Sequence, residues 1–222
     1  MALPLRSATW KLLTGSDAVD MAVSNGGTYY MVNTAGLIYT YNTAINDWNR
    51  ISGSAGKTIA ANAGKVCLVN TAGKIYELTG AVWKQMPGSA AKDIAVDADG
   101  TVWMVNTVGK IYKYNGSKWN QVQGSDALRI AAGGGQVWMV NRLGKIYKYN
   151  GAGWRQNAGS AGWDITVTND GKTFLTNTVG KIYQWSGSSW AQLDGSDGRI
   201  VSANNNKLVL VNKKGRMYYR AY

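Results

Sequence analysis

Gln136-Val137-Trp138-Met139-Val140-Asn141-Arg142-Leu143-Gly144-Lys145-Ile146-Tyr147-Lys148-Tyr149 reads as two short strands joined at a turn. The flanks are rich in β-branched and aromatic residues, the second alternates as a strand with unlike faces does, and Asn and Gly punctuate the middle. Outward on one side lies Arg129-Ile130-Ala131-Ala132, separated by the permissive Gly133-Gly134-Gly135; on the other lies Trp154-Arg155-Gln156. These are four β-like runs in a unit of about 36 residues, the content of one propeller blade.

The unit recurs. Asn followed three residues later by Gly begins at Asn33, Asn70, Asn106, Asn141, Asn177 and Asn212. Trp10, Trp48, Trp83, Trp119, Trp154 and Trp190 recur at intervals of 35 to 38 residues, each followed five positions later by Gly-Ser. A fixed period of this length marks a repeat architecture, here an all-β, six-bladed β-propeller forming one domain over residues 1–222. Asp99-Gly100 and Asp170-Gly171 supply hairpin turns between first and second strands. The chain opens on Thr9-Trp10-Lys11-Leu12-Leu13, a fourth-strand pattern, and stops after Gly215-Arg216-Met217-Tyr218-Tyr219, a third. The first strand therefore completes the last blade and closes the ring, removing two exposed edges.

Composition agrees with a packed β protein. The 222 residues include 28 Gly, 2 Pro, 10 Trp and 13 Tyr, with 45% hydrophobic residues. The apolar stretch in Met1-Ala2-Leu3-Pro4-Leu5-Arg6 is too short for a secretion signal or an anchor, so cytoplasmic retention is expected, without membrane insertion. The lone Cys67 can form no intrachain disulfide and reads as a small apolar strand residue. The absence of His excludes Ser-His-Asp and Cys-His catalysis, histidine metal sites and histidine proton relays. A glycosidase needs two facing carboxyl groups, yet Glu77 stands alone among acids that are otherwise Asp. The sequence neighbours Asp17 and Asp20, Asp97 and Asp99, and Asp194 and Asp197 recur as pairs in no consistent position. Asp97-Ala98-Asp99-Gly100 lacks the downstream ligands of a calcium loop. No enzyme activity, metal or cofactor is expected.

Binding chemistry does recur. In a four-stranded blade, the turn between strands two and three and the loop into the next blade leave on the same face. Asn70, Ala72 and Lys74; Asn106, Val108 and Lys110; Asn141, Leu143 and Lys145; and Asn177, Val179 and Lys181 then form four candidate carbohydrate sites. An amide, an ammonium and a small apolar group suit a sugar carrying hydroxyls and an apolar substituent such as a methyl group. Asn33 with Ala35, where Leu37 replaces the Lys, and Asn212 with Arg216 are weaker copies. Asn and Gly also have a structural use at such a turn, and Trp at fixed register has one between blades. The formal charge of +12 admits a rival partner, an anionic surface such as lipopolysaccharide, acidic phospholipid or nucleic acid. One Lys per blade, without a continuous run, argues against specific nucleic-acid binding.

The Trp-x-x-x-x-Gly-Ser spacing, the Val-Trp-Met-Val-Asn runs at Val102 and Val137, and the Gly-Lys-Ile-Tyr segments resemble tectonin repeats across the whole chain. More narrowly, the chain resembles fungal tectonins, cytoplasmic defence lectins for O-methylated mannose and fucose on glycans of nematodes and bacteria. That resemblance implies a multivalent lectin with sites around a ring and self-association as a dimer or tetramer.

Overall fold

A computed structural model describes residues 9–53, 55–159 and 161–222. Among the described residues it contains six four-stranded antiparallel sheets, five of them with strands in sequence order from the axis outward. Blade 1 consists of Ala18–Val23, Tyr29–Asn33, Ile38–Asn42 and Asp47–Ile51. Blades 2 to 5 follow at residues 56–85, 91–122, 127–156 and 162–193. Blade 6 takes Gly198–Asn204, Lys207–Asn212 and Met217–Arg220 from the C-terminal end of the chain and its outermost strand, Lys11–Leu12, from the N-terminal part. Lys11 pairs with Tyr219 and Leu12 with Tyr218, so the expected closure is present. The stretch Met1–Arg6, considered above as a leader, lies outside the described residues.

The six Trp residues spaced along the chain stitch neighbouring blades together. Each indole Nε1 donates to a backbone carbonyl just after the outermost strand of the preceding blade: Trp48 to Thr14, Trp83 to Ser52, Trp119 to Pro87, Trp154 to Gln123, Trp190 to Ala158 and Trp10 to Asp194, at 2.7–2.8 Å. The residue after each acceptor is the Gly of Gly-Ser. At Gly124 a Cβ would lie 2.8 Å from the Trp154 ring, and φ is +121°, so the close approach excludes a side chain. The constant spacing thus records one contact made six times.

Between blades lie six apolar clusters, each shared by two neighbours. The alternating third strand divides its side chains between two of them. Ile38, Ile75, Ile111, Ile146, Ile182 and Met217 are fully buried, while Tyr39, Tyr112, Tyr147 and their equivalents pack half-buried. Cys67 is wholly buried as well, and burial pushes its thiol up to about 12, which makes it an inert core residue.

Removing residues up to Leu13 deletes the outermost strand of blade 6, the buried Leu13 side chain, the Trp10 stitch and the Thr14 acceptor's anchorage. Burial and hydrogen bonding together set the expected loss at no less than about 3 kcal/mol, a fall in melting temperature of roughly 6–12 °C. Thermal denaturation followed by circular dichroism checks it; an unchanged transition would contradict closure through this strand.

Candidate functional site

All six Asn-x-x-Gly turns lie on one face of the disc, wedged between successive connecting loops. In blade 1, Thr34 N donates to the Asp17 carbonyl at 2.8 Å, and Gly56 N donates to the Gly36 carbonyl at 2.9 Å. The same pair of bonds recurs around the ring, ending with Lys213 N to Asp197 O and Ala18 N to Gly215 O. The loop residue that grips each turn, Asp17, Ala55, Ala90, Asp126, Ala161 or Asp197, sits at φ between +60° and +66°. For residues with a Cβ this conformation costs about 1–2 kcal/mol each. Across from it the turn must be Gly: a Cβ on Gly109 would lie 2.9 Å from the Cα of Asp126.

The Asn side chains hold the turns. Asn106 Oδ1 accepts from Val108 N at 3.1 Å and from Lys110 N at 2.8 Å; Asn33, Asn141 and Asn212 make the corresponding pairs, and Asn70 and Asn177 accept from Lys74 N and Lys181 N. These are Asx turns, so each carboxamide oxygen is committed to the backbone. What the turns present outward is the next pair of positions. Val108, Leu143 and Val179 are exposed by 66%, 72% and 66%, large values for apolar side chains, and Ala35 and Ala72 are exposed beside them. Lys74, Lys110, Lys145, Lys181 and Arg216 are exposed with no ion pair among the described residues, whereas Leu37 is half-buried. An apolar tip followed two residues later by a cation recurs in blades 2 to 5, and in blade 6 Lys214 stands at the tip instead.

Sequence reading by repeat register did not foresee two other groups. The first lines the cleft between blades 5 and 6, about 210 Å³ in volume: Trp163, Asn177, Thr178, Gly198, Arg199 and Lys213. The signal was present in the position after Ala161-Gly162, where other blades carry no aromatic residue. The second group surrounds the axis. Asp20, Asp93 and Asp164 stand at one repeat position in alternate blades, with Arg129 between the latter two, 3.9 Å from Asp93 and 3.5 Å from Asp164. The sequence-adjacent Asp pairs are not the ones that assemble.

These acids have a structural task. The innermost strand of each blade has a free edge whose N–H groups face the channel. Asp20 accepts from Ile59 N, Asp93 from Ile130 N and Asp164 from Val201 N, at 2.7–2.8 Å, each in the next blade. Farther along, Ser202 and Thr166 cap Val23 N and Ala203 N, and Asn62, Asn169 and Asn204 hydrogen-bond across the channel. Burial pushes the carboxyl of Asp20 up to about 6 and that of Asp164 up to about 7, opposed at Asp164 by Arg129; burial also raises Asp93. Raised carboxyls in a cavity are a mark of acid catalysis. The space here is about 80 Å³, the volume of two or three water molecules, too small for a sugar ring.

The sequence model of the tectonin domain matches residues 54–125 and 126–222. No curated protein matches the chain. Among solved structures, selenomethionine-substituted virginiamycin B lyase from Staphylococcus aureus is similar at 15% identity, covering 97% of this chain and 88% of the enzyme, with a TM-score of 0.64. YCF48 bound to D1 peptide is similar at 14% identity, covering 100% and 99%, with a TM-score of 0.64. YCF48 from Cyanidioschyzon merolae follows at 12% identity, covering 96% and 98%, with a TM-score of 0.63. At such identities the likeness is one of fold, which by itself assigns no activity.

The axial acids set a pH dependence of stability. Asp20 and Asp164 hold protons in the folded state up to about pH 6 and 7, whereas unfolded carboxyls release theirs near pH 4. Their contribution is full below pH 4 and is lost as pH rises through about 7. The melting temperature is expected to fall between pH 5 and pH 8, and Asp164→Asn to flatten that fall; an equal slope in the variant would contradict the assignment.

Proposed function

We propose that this chain, which belongs to the tectonin family, is a multivalent carbohydrate-binding protein and has no catalytic role. The observation that carries the reading is the repeated turn itself: each is fixed by its Asn and Gly, and blades 2 to 5 offer an exposed apolar tip beside an exposed Lys. A rigid backbone with one apolar contact and one donor is what a sugar bearing an O-methyl group needs, because the methyl loses its water on the tip while Lys meets a hydroxyl or ring oxygen. Blades 1 and 6, with Leu37 in the Lys position and Lys214 at the tip, are weaker sites in this reading. The proposed ligands are O-methylated mannose and fucose on bacterial or nematode glycans, met by a cytoplasmic defence lectin, as the family resemblance implies. Several sites on one rigid face act together on clustered glycans, so weak single-sugar affinity suffices, and assembly into a dimer or tetramer would add to it.

A second reading rests on the charge of the same face. Lys57, Lys92, Lys213, Lys214 and Arg216 join the four repeated Lys there. Burial lowers the ammonium of the half-buried Lys92, and the cationic neighbours Arg142, Arg129 and Lys57 act in the same direction. An anionic lipid or lipopolysaccharide surface would be drawn to it, with binding that collapses as salt rises.

Binding to arrayed mannosides and fucosides, each with and without O-methylation, at low and high salt, separates the two. The expected outcome is signal on methylated sugars that survives high salt; signal spread over acidic arrays and lost in salt would favour the surface reading. The double variant Val108→Ser, Lys110→Gln leaves the Asn106 turn intact, so calorimetry should find one fewer site per chain with an unchanged melting temperature. Unchanged stoichiometry would remove the turn tip from the site.

A further inference from the structure

We propose that the cleft between blades 5 and 6 is a separate site for a single sugar residue carrying an anionic group, either a uronate carboxylate or a sulfate or phosphate ester. It goes beyond the neutral-sugar reading above and uses side chains that the turn tips do not.

The cleft is built by a bulge that every blade contains. In each innermost strand the register slips between the first and third residues, which leaves the second residue out of the ladder. A bulge of this kind re-aims one side chain. Around the ring that position holds Val19, Lys57, Lys92, Leu128, Trp163 and Arg199. An aromatic residue followed by a cation in the next blade occurs once, at Trp163 and Arg199, whose guanidinium carbon lies 6.0 Å from the indole centroid. The residue after the turn Asn is Thr in four blades, but Arg142 in blade 4 and Lys213 in blade 6. Arg142 is paired with Asp126 at 3.5 Å and donates to the Thr107 carbonyl. Arg199 and Lys213 have no carboxylate partner among the described residues, so blade 6 brings two uncompensated cations to one cleft.

The remaining walls suit a sugar. Asn177 Oδ1 accepts from Lys181 N, and among the described residues its Nδ2 and the Thr178 hydroxyl have no partner. A volume of about 210 Å³ is that of roughly seven water molecules, room for one pyranose ring. Packing does not account for Trp163. Among the described residues its Nε1 is buried without a hydrogen-bond partner, a cost of about 1–3 kcal/mol that the Val19 and Leu128 found at the equivalent position avoid. A residue that breaks a local rule without structural return marks a functional place. Here the indole offers a face to sugar C–H groups, the amide and hydroxyl meet ring hydroxyls, and the guanidinium matches a carboxylate, sulfate or phosphate through paired N–H donors.

The test is a titration followed in the indole region of proton–nitrogen correlation spectra, with Trp163→Phe identifying the Trp163 signal. The probes are methyl glucuronide, glucose 6-sulfate, glucose 6-phosphate, methyl glucoside and inorganic phosphate. At least one acidic sugar is expected to move the Trp163 signal to saturation, about tenfold more tightly than methyl glucoside or inorganic phosphate, and the order among the three acids tells carboxylate from ester. Arg199→Ala should weaken that acid by about tenfold or more at an unchanged melting temperature. The proposal is overturned if no acidic sugar moves the signal, if methyl glucoside or inorganic phosphate binds as tightly, or if Arg199→Ala binds the acid as the parent does. Failure here leaves the array result on neutral methylated sugars standing, and failure of that array leaves this titration readable.

Discussion

The structure depends on a closed circuit of six indole hydrogen bonds. Each outermost Trp donates to the loop that leaves the preceding blade, and the circuit closes because Trp10 and Thr14 flank the short strand Lys11–Leu12, which the N-terminal part of the chain contributes to blade 6. A blade alone is a four-stranded sheet with two apolar faces, and neither face is covered until its neighbours are in place. The Trp stitch fixes how far apart those neighbours stand, because Gly on the facing loop permits contact at a distance no side chain would allow. The inter-blade clusters, and the fully buried Ile in the third strand of blades 1 to 5, take their spacing from it.

At the axis the difficulty is reversed, since the innermost strands present free N–H groups with no further strand to pair. Acid and hydroxyl side chains from one blade cap the edge of the next, at the expense of burying Asp20, Asp93 and Asp164 close together. Burial raises these carboxyls, their mutual repulsion adds to it, and Arg129 opposes both. The three-carboxylate arrangement is therefore accounted for by edge capping, and its small volume keeps it apart from the ligand chemistry on the outer face.

On that face, rigidity and recognition fall to different atoms. Asn oxygens, Gly carbonyls and left-handed loop residues hold the turns, while the Val, Leu and Lys side chains at their tips are exposed. Strain stored in the left-handed residues positions six turns identically, and the side chains can then differ from blade to blade without disturbing the ring. The cleft of Trp163 and Arg199 is one of these local differences.

The repeat period, the four strands of each blade, the closure through the N-terminal strand and the shared face of turns and loops were all legible in the sequence, because each rests on local chemistry that recurs at fixed spacing. So were the turn residues, although register alone left two uses open for the Asn: only the folded turn shows its oxygen bonded to the backbone of Val108 and Lys110. The assembly of Asp20, Asp93 and Asp164, and the meeting of Trp163 with Arg199, Asn177 and Lys213, belonged to the tertiary structure. Those residues lie in different repeats, at positions where the chain varies rather than repeats. Nothing in a linear period says which variants will face each other; the curvature that brings one blade against the next decides it.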